Sequence, residues 1–600
     1  MQAISPASGA DPASEAAPAA APSARMGDAR HASYPGLAAA LIGHAAAEAA
    51  AGARAAMQRG ALWRFSLRGP LPGGLAVAPD ALAPATLEGA QDILRGRFAL
   101  GGGVVELRGQ SPFDAAMPTA LRAELHRFAW LAHLEKAGGK TAHFVARALV
   151  EDWIDRYRHV ETATWAPEVL GPRLVQWAAH FRFLIADHDL IFRSRLLKTM
   201  AEQTRHLART IAAAPPGPGA LAAAAALVIM DCALPEGERR SLKAIEALRL
   251  ALEGAVLPDG GIVTRSPDDQ AEGLAGLLRA GRALADAHRA MPPFLPDAAA
   301  RMRAQLALMR HGDGRLGCFN GSSEGDAQWL ADLLEGEPAE AAAAFAPDWG
   351  YARLAAGPSC VPFDAGGPPP GGHASAAHAA PAAFELSREA TRIVVNGGVA
   401  RRRGADWVAA ARRTAAHACL QIGEADAGEI LAGSAAARLG PRLYGGTARG
   451  EMQAGPDGQW AEATHDFYAR RFGATHRRRL FLDATGHDLR GEDTLVRSSG
   501  RGRLEVAIRF PLHPDCRATI AQSGDSVLIA PHEGDAWRFR AGLTGADSRL
   551  SIEPSIYMGG ETVRRAEAIV IRAAALPPEW TMRWAFAVET PGKRTRRRIV

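Results

Sequence analysis

The hydrophobic period of this 600-residue chain changes once, near residues 350–365, and that change constrains the fold more than any other feature. Before it, apolar residues recur at helical spacing. In "LRAELHRFAWLAHLEKAGG", Leu121, Leu125, Phe128 and Ala132 fall at i, i+4, i+7 and i+11, one stripe of a helix, and Gly138 and Gly139 supply a stop. Similar stretches at 142–157, 167–185, 194–213, 220–230, 236–252, 269–290, 296–310 and 325–334 are separated by short Gly, Pro and Asp connections. The pattern predicts repeated helical hairpins, with no strand run long enough to alternate. After "GPPPGG" (Gly367 to Gly372) the period becomes two. "RLEVAIRF" sets Leu504, Val506, Ile508 and Phe510 on one face and Arg503, Glu505 and Arg509 on the other. "AFELS", "TRIVVNGG", "RRLFLDA", "SVLIA", "WRFRAG" and "EAIVIRA" add further short strands. Short strands divided by turn residues predict a large antiparallel sheet arranged as a sandwich. The fold class expected is α+β multidomain, with an all-α half over 29–350 and an all-β half over 351–600.

Composition narrows the function classes. A hydrophobic share of 48% with 22% charged residues allows a sizeable core. The net charge of +5 (69 basic minus 64 acidic residues) suits a polyanion, and an acidic polysaccharide is expected rather than nucleic acid. The basic run Lys593 to Val600 reads as a solvated tail. Five scattered cysteines without a CxxC pair give neither a disulfide framework nor a zinc knuckle. No stretch of about 18 to 20 uncharged apolar residues occurs, so no membrane span is expected. Residues 1–28 read as a disordered Ala/Pro/Ser leader without the basic start and apolar core of a signal peptide. Walker, HExxH and CxxC patterns are all missing.

Several clusters carry suggestive chemistry. "THDFYARRFGATHRRRLFLD" gathers His465, Tyr468 and His476, and imidazole with phenol suits proton abstraction and return. A surface strand of alternating charge explains the same stretch equally simply. In "WAPEVLGPRLVQWAAHF", Arg173, Trp177 and His180 share a helix face at i, i+4 and i+7. An aromatic and a cation there suit stacking and carboxylate contact with a sugar acid, or else form a core Trp with a snorkelling Arg. "RHGDGRLGCFNGSSEGD" is a polar Gly-rich loop carrying Asn320. His378, Asn396 and His417 lie at strand ends, where a His/Asn/His set can converge on a metal or merely bond loop carbonyls.

The order of these pieces resembles the heparinase II/III-like polysaccharide lyases. The resemblance rests on "LHRFAWLAHL", "LPDGGIVTRSP", "MRHGDGRLGCFNG", "GGHASAAHAAPAAFELSREATRIVVNGG", "RRTAAHACLQIG" and "IRFPLHPD", and runs from about Trp63 to near the C-terminus. It implies an incomplete (α/α) toroid followed by a β-sandwich, and β-elimination on a uronate-containing polysaccharide. It also implies a structural zinc held by His378, Asn396 and His417. Departures are specific. The family's sandwich histidine, two residues before the zinc His, is Ala376. The helix expected to present an Asn-His pair reads "GALAAAAALVIM". The segment expected to present a tyrosine reads "TRSPDDQAEGLAGLL". Two expectations follow. In one, a lyase has relocated its catalytic groups to Tyr468, His465 and His476, with Arg173, Trp177, His180 and Asn320 binding substrate. In the other, a catalytically weakened carbohydrate-binding or envelope-biogenesis protein uses the lyase scaffold. The family resemblance suggests periplasm or envelope; the leader suggests cytoplasm.

Overall fold

The computed structural model describes residues 36–589, apart from 81–84, 101–102, 108, 162, 237, 336–343, 400–404, 499, 501, 544–547 and 576–577. The leader and the basic tail lie outside the described residues. The first half is helical, as its period requires. Helices Gly139–Tyr157, Pro167–Ala179, Leu190–Thr210, Pro218–Ala233, Glu238–Ala255, Pro267–Asp286 and Phe294–Leu308 pack round one apolar core. Helix Pro218–Ala233 is apolar almost all round and sits at its centre, against Pro167–Ala179, Glu238–Ala255 and Pro267–Asp286. Gly171 makes the closest of these contacts, since a Cβ there would come within 2.7 Å of the Ala223 backbone.

Three details depart from the sequence reading. The stripe from Leu121 to Ala132 is two helices, Thr119–Arg127 and Leu131–Ala137, because Phe128 takes a left-handed conformation (φ 64°). Its ring is fully buried against Trp130, Trp153 and Trp177, and that aromatic packing overrides the periodicity. A 23-residue helix, Leu37–Arg59, precedes the expected ones. A short hairpin, Arg97–Leu100 with Gly103–Glu106, interrupts the helical half, where no strand was expected.

The second half is built of antiparallel strands. The largest sheet has eight, in the spatial order Ala448–Gly455, Gly458–His465, Ala474–Asp483, Asp488–Arg497, Glu579–Val588, Trp537–Ala541, Ser526–Pro531 and Cys516–Ile520. A four-stranded sheet is centred on Arg564–Ala575 and Leu504–Pro511, and a five-stranded sheet runs from Phe345–Ala346 to Thr391–Val394. Leu354, Phe363, Leu480, Phe510 and Phe586 bring the three sheets onto one core. Period-2 alternation is clean in Ala474–Asp483, where alternate residues are buried.

The halves are joined by buried polar contacts. Arg265, in the segment where the resemblance expects a tyrosine, has a left-handed φ of 57°. It donates to the Trp349 carbonyl at 2.6 Å, the Gly350 carbonyl at 2.9 Å and Asp364 Oδ1 at 2.6 Å. No helix among the described residues is long and apolar enough to cross a membrane. All five cysteines are free and buried.

Candidate functional site

The nominated catalytic trio meets in space but inside the sheet. His465 and His476 are cross-strand partners, and His465 Nε2 lies 2.8 Å from His476 Nδ1. His476 Nε2 donates to Asp493 Oδ1 at 2.8 Å, so its Nδ1 accepts from His465. Arg478 donates to both Asp493 oxygens at 2.7 and 3.1 Å, and Trp584 Nε1 adds a bond of 2.7 Å. Tyr468 is 1% exposed and donates its hydroxyl to the Leu420 carbonyl at 2.7 Å. Burial pushes His465 well below its ordinary value, with His476 and Arg478 adding to the effect, and burial raises the Tyr468 phenol well above its own. A neutral imidazole and a neutral phenol sealed from solvent cannot reach a polymer. The structure places Tyr468, His465 and His476, read as catalytic from the sequence, in a buried network of the β core.

The nominated substrate face is likewise internal. Arg173 is fully buried, donates to Thr164 O at 2.8 Å and to Gln203 Oε1 at 3.0 and 3.1 Å, and stacks 4.2 Å over the Trp153 ring. Trp177 packs edge-on against Trp153 and Phe128. His180, buried at the end of its helix, pairs with Glu135 at 2.5 Å. The helix face expected to hold sugar is the aromatic centre of the helical half. Asn320, with a φ of 45°, donates to the Tyr351 hydroxyl at 2.7 Å and accepts from the His378 backbone N–H at 3.1 Å. It braces the loop 311–326 against the segment before the strands, and is buried.

The expected metal residues do converge. The His378 and His417 rings lie 4.5 Å apart, tilted by 33°. One polar atom of each residue is engaged, while the buried Asn396 Nδ2 has no partner. His378 Nε2 accepts from the Gly321 N–H at 2.9 Å, His417 Nε2 donates to the Ala411 carbonyl at 2.9 Å, and Asn396 Oδ1 accepts from the Ala418 N–H at 3.1 Å. The carboxylate that the resemblance expects is Ala380. Among the described residues no group of three or more His, Cys, Asp or Glu can hold a metal. Two imidazoles and a neutral amide lack the carboxylate or third imidazole of a usual zinc set, and no step is derived through a metal. Burial lowers both imidazoles, His417 to about 4.

Around this pair lies the junction of the two halves. Ala376 is exposed and abuts Gly321, where a Cβ would come within 3.0 Å of its methyl. His373 is only half-buried, and its ring lies against Gly217, the residue that starts the alanine-rich helix. Sequence register alone made His373 a loop residue; the structure brings it to the wall where the resemblance expects the Asn-His pair. A cleft of about 1060 Å³ lies farther along, between the early hairpin and the turn 558–563. Glu324 lines it, accepts from the Tyr557 hydroxyl and pairs with Arg315 at 3.0 Å. Sequence reasoning missed Tyr557 and Glu385. Glu385 is fully buried and accepts from His311 and from the Cys318 and Asn396 amides, each at 2.9 Å. A Glu inside the apolar run "PAAFELS" was the available signal.

Comparison with known proteins agrees with this architecture. The family described as "Heparinase II/III-like, C-terminal" matches residues 338–591. FtsZ-localized protein C of Caulobacter vibrioides (strain NA1000 / CB15N) is 34% identical over 527 residues, which cover 86% of this chain and 90% of that protein. Among solved structures, heparinase III superposes with a TM-score of 0.64 at 14% identity, over 93% of this chain and 92% of that one. A heparan sulfate lyase HepC mutant from Pedobacter heparinus gives 0.58 at 15%, over 93% and 92%. At such identities the structural likeness is one of fold.

Proposed function

The chain belongs to the heparinase II/III-like family, and from that premise we propose that it is an envelope-biogenesis protein of the division site. It binds acidic polysaccharide on a lyase scaffold without performing β-elimination. The helical half, over 29–350, is taken as the incomplete (α/α) toroid and the strands, over 351–600, as the sandwich. The observation that carries the reading is at Ala376: an exposed methyl stands where a lyase of this family is expected to hold its histidine. The groups nominated to replace it are buried. Division-site placement rests on the FtsZ-localized relative, which shares sequence along most of both chains.

A second reading is favoured by His373. Its half-exposed imidazole against Gly217 is a titratable group at the junction, and in this reading it serves a relocated elimination chemistry. One experiment separates the two. Purified protein is incubated with heparan, alginate, pectate and bacterial exopolysaccharides, and the ultraviolet absorbance of an unsaturated product is followed. A flat trace with all of them, together with a fluorescent fusion that gathers at the FtsZ-marked site, is the expected outcome. An absorbance rise abolished by His373→Ala establishes the lyase instead, and a diffuse fusion overturns the division-site placement.

A further inference from the structure

On the eight-stranded sheet, the face turned away from the core carries a hollow of about 800 Å³. Its shape follows from register. Trp460, Phe481, Arg490, Ala585 and Arg540 are successive cross-strand partners, so they form one row on the outward side. Neighbours such as Leu480 and Leu489 point inward and are buried. Four strand spacings make that row about 19 Å long. Trp460 and Phe481 form an aromatic end, and Ala585, Ala541 and Gly542 keep the middle low. The charged residues on the lining are Arg479, Arg490, Arg540 and Arg583 against the single carboxylate Glu492. Arg479 is tied to Glu462, Arg490 to Asp488 at 2.6 Å, and Arg583 to Glu492 at 2.7 Å. Among the described residues Arg540 carries no such direct tie, although the Asp525 and Glu589 carboxylates lie within reach of its charge.

The geometry points to this hollow as a binding site for an anionic oligosaccharide, separate from the junction of the two halves. One sugar face stacks on Trp460 and Phe481, and an acidic substituent farther along the chain meets Arg540 and Arg490. The volume lies within the roughly 300–1,000 Å³ usual for ligand sites. Every strand under the hollow is hydrogen-bonded on both sides, so a peptide cannot add itself as a strand there. Binding must come from side chains, and flat aromatic surface beside guanidinium groups suits a sugar acid. The inference rests on the polysaccharide-binding reading above and gives it an address.

Titration calorimetry of the full chain tests it, with short alginate- and heparan-derived oligosaccharides, a neutral cello-oligosaccharide, a nucleoside triphosphate and an acidic peptide as probes. The acidic oligosaccharides are expected to bind, weaken with added salt, and lose about tenfold or more in affinity in both Trp460→Ala and Arg540→Ala. Both substitutions are on the solvent face, and an unchanged circular dichroism spectrum verifies folding. Equal affinity for the neutral sugar, preference for the nucleotide or peptide, or wild-type binding by both variants overturns the site. If acidic sugars bind but the variants do not weaken them, polysaccharide binding stands and only this location falls. If no acidic sugar binds, both fall, while division-site placement is read independently by the fusion.

Discussion

Replacing Asp493 by Asn tests whether the His465–His476–Asp493 chain is core or catalyst. Asp493 accepts from His476, Arg478 and Trp584, and neither it nor Arg478 is exposed. Against burial, which raises it, Arg478 and then His476 hold the Asp493 carboxyl below the usual carboxylate range, so it is ionised at neutral pH. An amide of the same shape removes the counter-charge and sets an N–H₂ group among donors. Arg478 then keeps only the Ala382 and Ala418 carbonyls, at 2.9 and 2.6 Å. Breaking a buried ion pair on one side costs about 3–5 kcal/mol. Urea unfolding followed by tryptophan fluorescence reads it, because Trp584 is bonded to Asp493 and Trp537 is buried in the same core. The two halves can unfold in separate steps, so the shift is expected in the β transition with the helical one unmoved. A pair of substitutions, Asp493→Leu with Arg478→Met, is expected to recover most of the loss, since it leaves no orphaned charge. A loss below about 1 kcal/mol, the scale of an exposed salt bridge, would refute the burial argument and return the trio to candidacy as solvent-reached groups.

Three further outcomes are expected. His417 and His206 are lowered to about 4 by burial, with Arg173 and Arg209 adding to His206. The unfolded chain therefore binds protons first as pH falls, so stability is full above pH about 6.5 and drops between there and about 4, by on the order of 3 kcal/mol for each group; unfolding curves flat across that window would contradict it. Metal analysis of protein purified without chelator is expected to find no stoichiometric zinc, and His378→Ala to lower stability equally with and without chelator. A tightly held zinc whose removal destabilises the wild type alone refutes the donor assignment. Ala376→His is expected to fold normally, as the position is exposed, and to yield no unsaturated product, because the tyrosine and Asn-His positions of the helical half also lack their groups.

The fold was legible in the sequence because both periods are long and consistent. Eight helical stretches and most named strands coincide with elements of the structure. What escaped were places where packing outweighs a pattern: the Phe128 ring meets the neighbouring Trp130 together with Trp153 and Trp177 from two other helices. Site residues were less legible for a different reason. Arg173, Trp177 and His180 do share a face, yet periodicity does not say whether a face looks at solvent or at another helix, and helix Pro218–Ala233 covers this one's neighbourhood. The histidine pair at 465 and 476 was recognisable as a pair in the sequence, but its depth depends on which sheet face is inward. Resemblance located His378 and His417 correctly side by side. Their hydrogen bonds to Gly321 and Ala411 depend on distant loops and have no signature in the sequence.

On the reading proposed above, buried joints hold the lyase scaffold together independently of the groups of elimination. The segment "TRSPDDQ" has no tyrosine, yet Arg265 within it fastens the helical half to the first strands through four groups. Asn320 and His378 tie the loop 311–326 to the strand side. Glu385 satisfies His311 and two backbone amides in the same region. Each is a buried polar joint whose loss orphans its partners, at about 1–3 kcal/mol per neutral group and more for a charge. Ala376, on the exposed surface, carries no such penalty. Substitution at an active-site surface is therefore cheap for the fold, whereas substitution at the joints beneath it is not. On the proposed reading, the surface positions are the ones free to change and the buried joints are the ones retained.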